Sequence, residues 1–208
     1  PGEGIEWQPV ALADGAVAHL RSDARVPAHA AILAAGERRP LAPGTMPAGY
    51  PADRLVVPTP VTITATDGVQ SYAQLFVPPA GTVRGRRPAI IFLHGGSRRQ
   101  MLLGWNYGSY YHHAYAFNQA LALRGWVVLS LNFRSGIGYG RDFREALDYG
   151  AAGASEYRDV VAAARWLRAR ADVDTAKVAL WGGSYGGFLT AMGLSRTPEL
   201  FAAGVDVH

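Results

Sequence analysis

Apolar positions along the chain fall into two regimes. Up to about position 55, short apolar stretches such as 16–20 and 30–33 are separated by the turn-forming pairs Asp14-Gly15 and Gly36-Glu37, in a background rich in Ala, Pro and Gly. That pattern predicts short β-strands and not a complete domain. Positions 51–60 read as a linker. Beyond them, 61–65 and 71–77 alternate in strand fashion around Asp67-Gly68, which predicts a hairpin.

From Arg86 the rhythm changes. Positions 89–93 form an uninterrupted apolar run between Pro88 and Gly95-Gly96, as expected of a strand covered on both faces. Positions 126–131 and 178–181 repeat that signature, and 201–207 read as a fourth strand. Between them lie helical patterns at 111–124, closed by Gly125, at 156–170 and at 186–195. In the second of these Tyr157, Val160, Val161, Ala164 and Leu167 share one face, with arginines mainly on the other. Strands alternating with helices predict an α/β fold whose mostly parallel sheet is covered on both faces. The chain therefore divides into a β-rich segment, 1–55, and an α/β segment, 56–208, with no internal repeat or low-complexity tract.

The candidate chemistry sits between the strand ending at Trp181 and the next helix. Gly182-Gly183-Ser184-Tyr185-Gly186-Gly187 matches G-x-S-x-G in a strand-turn-helix setting, where the sharp turn presents the serine hydroxyl and small neighbours let the flanking elements pass close by. The helix N-terminus favours developing negative charge, and the Tyr185 amide points where an oxyanion would form. The competing reading is a Gly-rich turn that only packs tightly or binds a phosphate. A second motif, His94-Gly95-Gly96, follows the strand at 89–93; its glycines let main-chain amides approach a substrate, and Gly96 is the first choice of donor. His94 itself reads as a core or orienting histidine, since in this fold the base follows the nucleophile in the chain.

Composition removes several alternatives. With 208 residues, 49% of them apolar, the chain can bury a sizeable core. No apolar run approaches the ~18 residues of a membrane span, and no targeting segment is visible. The absence of cysteine excludes disulfides, thiolate metal sites and a Cys nucleophile, yet leaves the compartment open. The net charge of +4 comes from dispersed arginines, Lys177 being the one lysine, so the clustered basic face of a nucleic-acid binder is missing. His112 and His113 are adjacent and would point to different sides of a helix, where metal-binding pairs sit at i, i+4. No metal or organic cofactor is implied. The aromatic cluster Tyr107, Tyr110, Tyr111, His112, His113 and Tyr115 reads as ordinary packing at a helix start, with a pocket wall as the rival. Arg134 reads equally as a clamp for a substrate carboxylate or carbonyl and as a brace held by acids such as Asp142 or Asp159.

Taken together, Phe92-Leu93-His94-Gly95-Gly96, LNFRSGIGYGRDF (131–143), SEYRD (155–159), Val173-Asp174, WGGSYGG (181–187) and FAAGV (201–205) resemble the prolyl oligopeptidase family of serine peptidases, particularly its acylaminoacyl-peptidase-like and dipeptidyl-peptidase-like branches. The resemblance covers about 60–208. It implies an α/β-hydrolase fold, incomplete here, preceded by a segment resembling the last blade of a β-propeller. It makes Ser184 the nucleophile, gives oxyanion-hole roles to the amides of Tyr185 and Gly96, and implies a peptide substrate. A homo-oligomer stays open. Three positions depart from the family pattern: His94, where some branches place a tyrosine; Ser97, where proline commonly follows the glycines; and the order Ser135-Gly136, where many relatives have Gly-Ser.

In α/β-hydrolases the triad runs Ser, then acid, then His. Downstream of Ser184 the sequence holds only Glu199, Asp206 and His208 as candidates. Asp206 and His208, two apart on one strand, would share a face of the sheet and could not readily form an acid-histidine-serine line. The expectation is a catalytic domain truncated before its acid and histidine, so that this chain alone turns over weakly. A carboxylesterase or lipase on the same fold, and a catalytically incomplete fragment, are the rival functions.

Overall fold

The computed structural model describes residues 4–152 and 154–207. Four strands open the chain: β1 (Ile5–Ala11), β2 (Val17–Ser22), β3 (His29–Ala34) and β4 (Glu37–Pro40). They pair in sequence order as an antiparallel meander, the four-stranded pattern that propeller blades use. The sequence pattern located the two central strands. It missed β1, which a bulge between Trp7 and Val10 interrupts, and β4, a short polar edge strand ending in proline.

The second sheet contains β5 (Thr59–Thr64), β6 (Gln70–Phe76), β7 (Arg87–Leu93), β8 (Val127–Asn132), β9 (Val173–Gly183) and β10 (Ala203–Val207). Their spatial order is β10-β9-β7-β8-β6-β5. The four strands from β10 to β8 run parallel, and the β5–β6 hairpin is added antiparallel at one edge. β9 is longer than its apolar stretch because Val173 already pairs with Arg87 before a register shift.

Alternation along the buried strands separates two cores. Ile91, Leu93, Leu129 and Leu180 point to one face, where helices α3 (Glu156–Arg168) and α4 (Tyr185–Arg196) pack through Val160, Ala164, Leu167 and Leu189. Ile90, Phe92, Val128 and Trp181 point to the other and meet helix α1 (Ser109–Leu123) through Tyr111, Ala114, Tyr115 and Ala122. A one-turn helix, α2 (Arg141–Arg144), interrupts the loop between β8 and α3. A parallel sheet filled on both faces explains the continuous apolar runs. It also carries the ends of β7 and β9 to the same rim, where ligands of open α/β sheets bind. Among the described residues no helix is long and apolar enough to cross a membrane.

Candidate active site

β9 ends at Gly183, α4 begins at Tyr185, and Ser184 forms the corner with φ 54° and ψ −122°. A positive φ on a serine costs on the order of 1–3 kcal/mol and persists only where its surroundings enforce it. Here they do. The Ser184 N–H donates to the Val207 carbonyl at the end of β10 (3.1 Å), and its own carbonyl accepts from Phe188 N–H one turn into the helix (3.0 Å). The neighbouring glycines allow the close passage: a Cβ at Gly182 would lie 2.6 Å from the Leu93 carbonyl oxygen, and one at Gly186 would overlap the same atom. The serine side chain is exposed at the resulting corner.

The loop after β7 passes over this corner. A Cβ on Gly95 would come 2.7 Å from the Gly183 carbonyl oxygen and 3.2 Å from Ser184 Cβ, so only a glycine backbone fits against the serine. Gly96 follows with φ 57° and is exposed. Tyr111, in the first turn of α1, clamps the loop: the Gly95 N–H donates to its hydroxyl (3.1 Å), which donates to the Gly95 carbonyl (3.0 Å). With its amide taken, Gly95 leaves the next amide, that of Gly96, as the candidate donor. As the first residue of α4, Tyr185 has an N–H without an intrahelical acceptor. Tyr110, Tyr111, Gly183, Ser184 and Val207 line a cavity of about 440 Å³ at the corner. Two members of the aromatic cluster thus stand at the helix start and form the pocket wall as well. No sequence signal marked Tyr111 as the partner of Gly95, because the bond spans 16 positions and a loop of unpredictable path.

His94 lies in the core. Its ring is fully buried, stacks on Phe133 with centroids 4.1 Å apart, and sets Nδ1 3.4 Å from the Gly95 carbonyl oxygen. Burial pushes its pKa down to about 4. Arg134 is a brace. Its guanidinium is buried and forks between Asp159 of α3 (Nη2 to Oδ1, 2.7 Å) and Asp67 of the β5–β6 turn (Nη1 to Oδ2, 2.6 Å). Of the two acids weighed from sequence, Asp159 is used and Asp142 is not; Asp67 was invisible there because 67 positions separate it from its partner. Next to this brace Ser135 donates its hydroxyl to the buried carboxylate of Glu156 (2.7 Å). The hydroxyl of Tyr185, whose pKa burial raises, is raised further by that same carboxylate.

His112 packs against the Trp105 ring and its pKa is lowered, first by burial. No group of three His, Asp or Glu residues that could hold a metal occurs among the described residues. Asp206 pairs in register with Gly182 on the neighbouring strand, while His208 lies outside the described residues, so the geometry of that pair is not defined.

Residues 99–208 match the prolyl oligopeptidase family. The chain belongs to that family. Dipeptidyl aminopeptidase BIII of Pseudoxanthomonas mexicana is 36% identical over 159 residues, which are 74% of this chain and 22% of that protein. Dipeptidyl peptidase family member 6 of Caenorhabditis elegans is 32% identical over 141 residues, covering 68% and 17%. The chain therefore spans about a fifth of the length of these relatives. The acylaminoacyl peptidase of Pyrococcus horikoshii superposes with a TM-score of 0.78 over 99% of this chain and 31% of its own, at 22% identity. That likeness shows the fold, with the antiparallel N-terminal sheet included: an α/β-hydrolase sheet behind a β-rich segment.

Proposed function

We propose that the protein is a serine peptidase that cleaves short peptides through an acyl-enzyme on Ser184. Its hydroxyl attacks the scissile carbonyl, the amides of Tyr185 and Gly96 stabilise the oxyanion, and water releases the acyl group. The observation that carries this reading is the strained, exposed serine at φ 54° with the Gly95-Gly96 loop folded over it. A corner that only packed would have no reason to hold a serine in that conformation. Peptidase chemistry is supported by the named activities of the relatives, which comprise dipeptidyl aminopeptidase and acylamino-acid-releasing enzymes.

Among the described residues no histidine lines the Ser184 pocket; His94 is buried against Phe133 and His112 packs against Trp105. On this reading the general base and its acid are supplied by residues other than those described, in the order Ser, acid, His. The test is labelling by a fluorophosphonate probe together with hydrolysis of dipeptidyl and acylaminoacyl anilides. In a protein carrying the whole catalytic domain both are expected, and both vanish with Ser184→Ala. In the 208-residue chain alone, turnover is expected to be lower by roughly 10⁶-fold, the effect of losing the catalytic histidine. Labelling that survives Ser184→Ala overturns the nucleophile. Cleavage of esters without anilides replaces the peptidase by an esterase.

A further inference from the structure

The loop that carries the oxyanion glycines holds two arginines in opposite situations. Arg98 is neutralised: its guanidinium makes a two-pronged pair with Glu145 (2.8 and 3.0 Å) and also donates to the Tyr149 hydroxyl (3.0 Å). Arg99 pairs with no carboxylate among the described residues. Its guanidinium lies over the Tyr111 ring, 4.1 Å from the centroid, and its Nε donates to the Gly95 carbonyl (3.3 Å). Its main chain is pinned from the other side, where the Ile137 N–H donates to the Arg99 carbonyl (3.2 Å). The charge is thus held in place at both ends. It stands two contacts from the nucleophile, because the glycine that Nε touches is the one whose Cβ would meet Ser184. The terminal Nη1 and Nη2 have no acceptor among the described residues, although five guanidinium donors are suited to a two-pronged carboxylate.

We propose that Arg99 forms an anion-binding subsite at the rim of the Ser184 pocket, which takes a carboxylate of the peptide substrate, either an acidic side chain near the cleaved bond or the C-terminal carboxylate of a very short peptide. This inference rests on the peptidase reading of the same site. Tyr111 serves it twice, holding the Gly95 loop and offering its ring face to the cation. A fixed cation is a better anion site than a mobile one, since little side-chain entropy remains to be lost on binding.

The test is equilibrium binding of dye-labelled peptides to the Ser184→Ala form of the protein carrying the whole catalytic domain. The peptides carry Asp, Asn or Lys in turn at each of four positions flanking the bond, with free or amidated C-termini. Binding of one carboxylate-bearing peptide about 10-fold tighter than its neutral partner is expected, with the preference shrinking at high salt. In Ser184→Ala/Arg99→Gln the preference should vanish while the neutral peptides bind as before, and in Ser184→Ala/Arg99→Lys part of it should remain. A preference confined to the free C-terminus assigns the site to short peptides, and one confined to Asp assigns it to a side chain. No carboxylate preference at any position, or a preference that Arg99→Gln leaves intact, overturns the proposal. Failure of the peptidase reading looks different, as binding with no Ser184-dependent cleavage by the unmutated protein.

Discussion

At the scale of single residues, the ends of β7 and β9 are built around atoms that nearly touch. Replacing Gly182 by Ala would set a Cβ 2.6 Å from the Leu93 carbonyl oxygen and 2.7 Å from the Gly186 backbone. Backbone on both sides cannot yield as a flexible side chain would. Gly182→Ala is therefore expected to destabilise the protein by about 1–3 kcal/mol, the usual cost of overpacking, read as a shift of the urea midpoint at constant slope. His94 gives a pH signature. The folded protein keeps it neutral down to about pH 4, because burial disfavours the imidazolium, whereas the unfolded chain takes up its proton near 6.5. Between those values the unfolded state binds more protons, so stability is full above pH 6.5 and falls as the pH drops towards 4. The loss amounts to about 3 kcal/mol. His94→Gln, which cannot titrate, is expected to flatten that part of the stability profile; an unchanged slope would place the titration elsewhere. The serine corner was legible from sequence because it rests on contiguous residues with fixed stereochemical demands. The reading of His94 as a core or orienting residue came from chain order, since the base in this fold follows the nucleophile, and the structure places it in the core. The Tyr111 clamp was not legible, since it depends on where the loop 94–108 returns.

At the scale of elements, the Arg134 brace fastens three that pack on one another: the β5–β6 turn through Asp67, the end of β8 through Arg134 itself, and α3 through Asp159. Arg134 and Asp159 are both buried, and desolvation raises the Asp159 pKa against the pull of Arg134. Removing one partner leaves the other charge buried alone. Arg134→Ala is expected to cost about 3–5 kcal/mol. Arg158 reaches the same Asp67 (2.9 Å) from an exposed position, and Arg158→Ala should cost under about 1 kcal/mol. Equal losses in the two variants by chemical denaturation would mean that the buried pair adds nothing beyond a surface contact. Such ties explain what sequence reading could reach. β7, β8 and α3 announced themselves through burial periodicity. The first five residues of β9, 173–177, did not, because Asp174, Thr175 and Lys177 break the apolar run, and they are strand because Val173 pairs with Arg87 across the sheet. β1 and β4 escaped for a related reason: an edge position relaxes the demand for alternation that makes a strand visible.

At the scale of the whole molecule, the N-terminal meander and the α/β sheet meet along a narrow seam. Ser22 donates its hydroxyl to the Trp105 carbonyl (2.6 Å), Trp105 N–H donates to the Asp23 carbonyl (3.0 Å), and the Tyr115 hydroxyl of α1 donates to the Ala24 carbonyl (2.8 Å). The Trp105 indole itself packs inside the α/β part, on Tyr115 and His112, with centroids 5.1 and 4.6 Å apart. Trp7 of β1 also meets Tyr107, with ring centroids 6.0 Å apart, and elsewhere the seam opens into a cavity of about 970 Å³ lined by residues such as Arg25, Ala52 and Leu102, so the hydrogen-bonded part of the contact lies at Trp105 and Tyr115. Ser22→Ala removes the first of these bonds, leaves the Trp105 carbonyl without that partner at a buried position and is expected to cost about 1–3 kcal/mol locally. Because the six-stranded sheet has its own two cores, the loss should fall on the meander. Amides of β1–β4 are expected to exchange with deuterium at least 10-fold faster, while those of β7, β8 and β9 keep their protection. Uniform acceleration in both sheets would instead make residues 4–152 and 154–207 one cooperative unit. Selective acceleration has a consequence for the site as well: the meander would open as a body while the Ser184 corner, fastened by Leu93, Val207 and the Tyr111 clamp, stayed formed. Fluorophosphonate labelling in a protein carrying the whole catalytic domain should then survive Ser22→Ala.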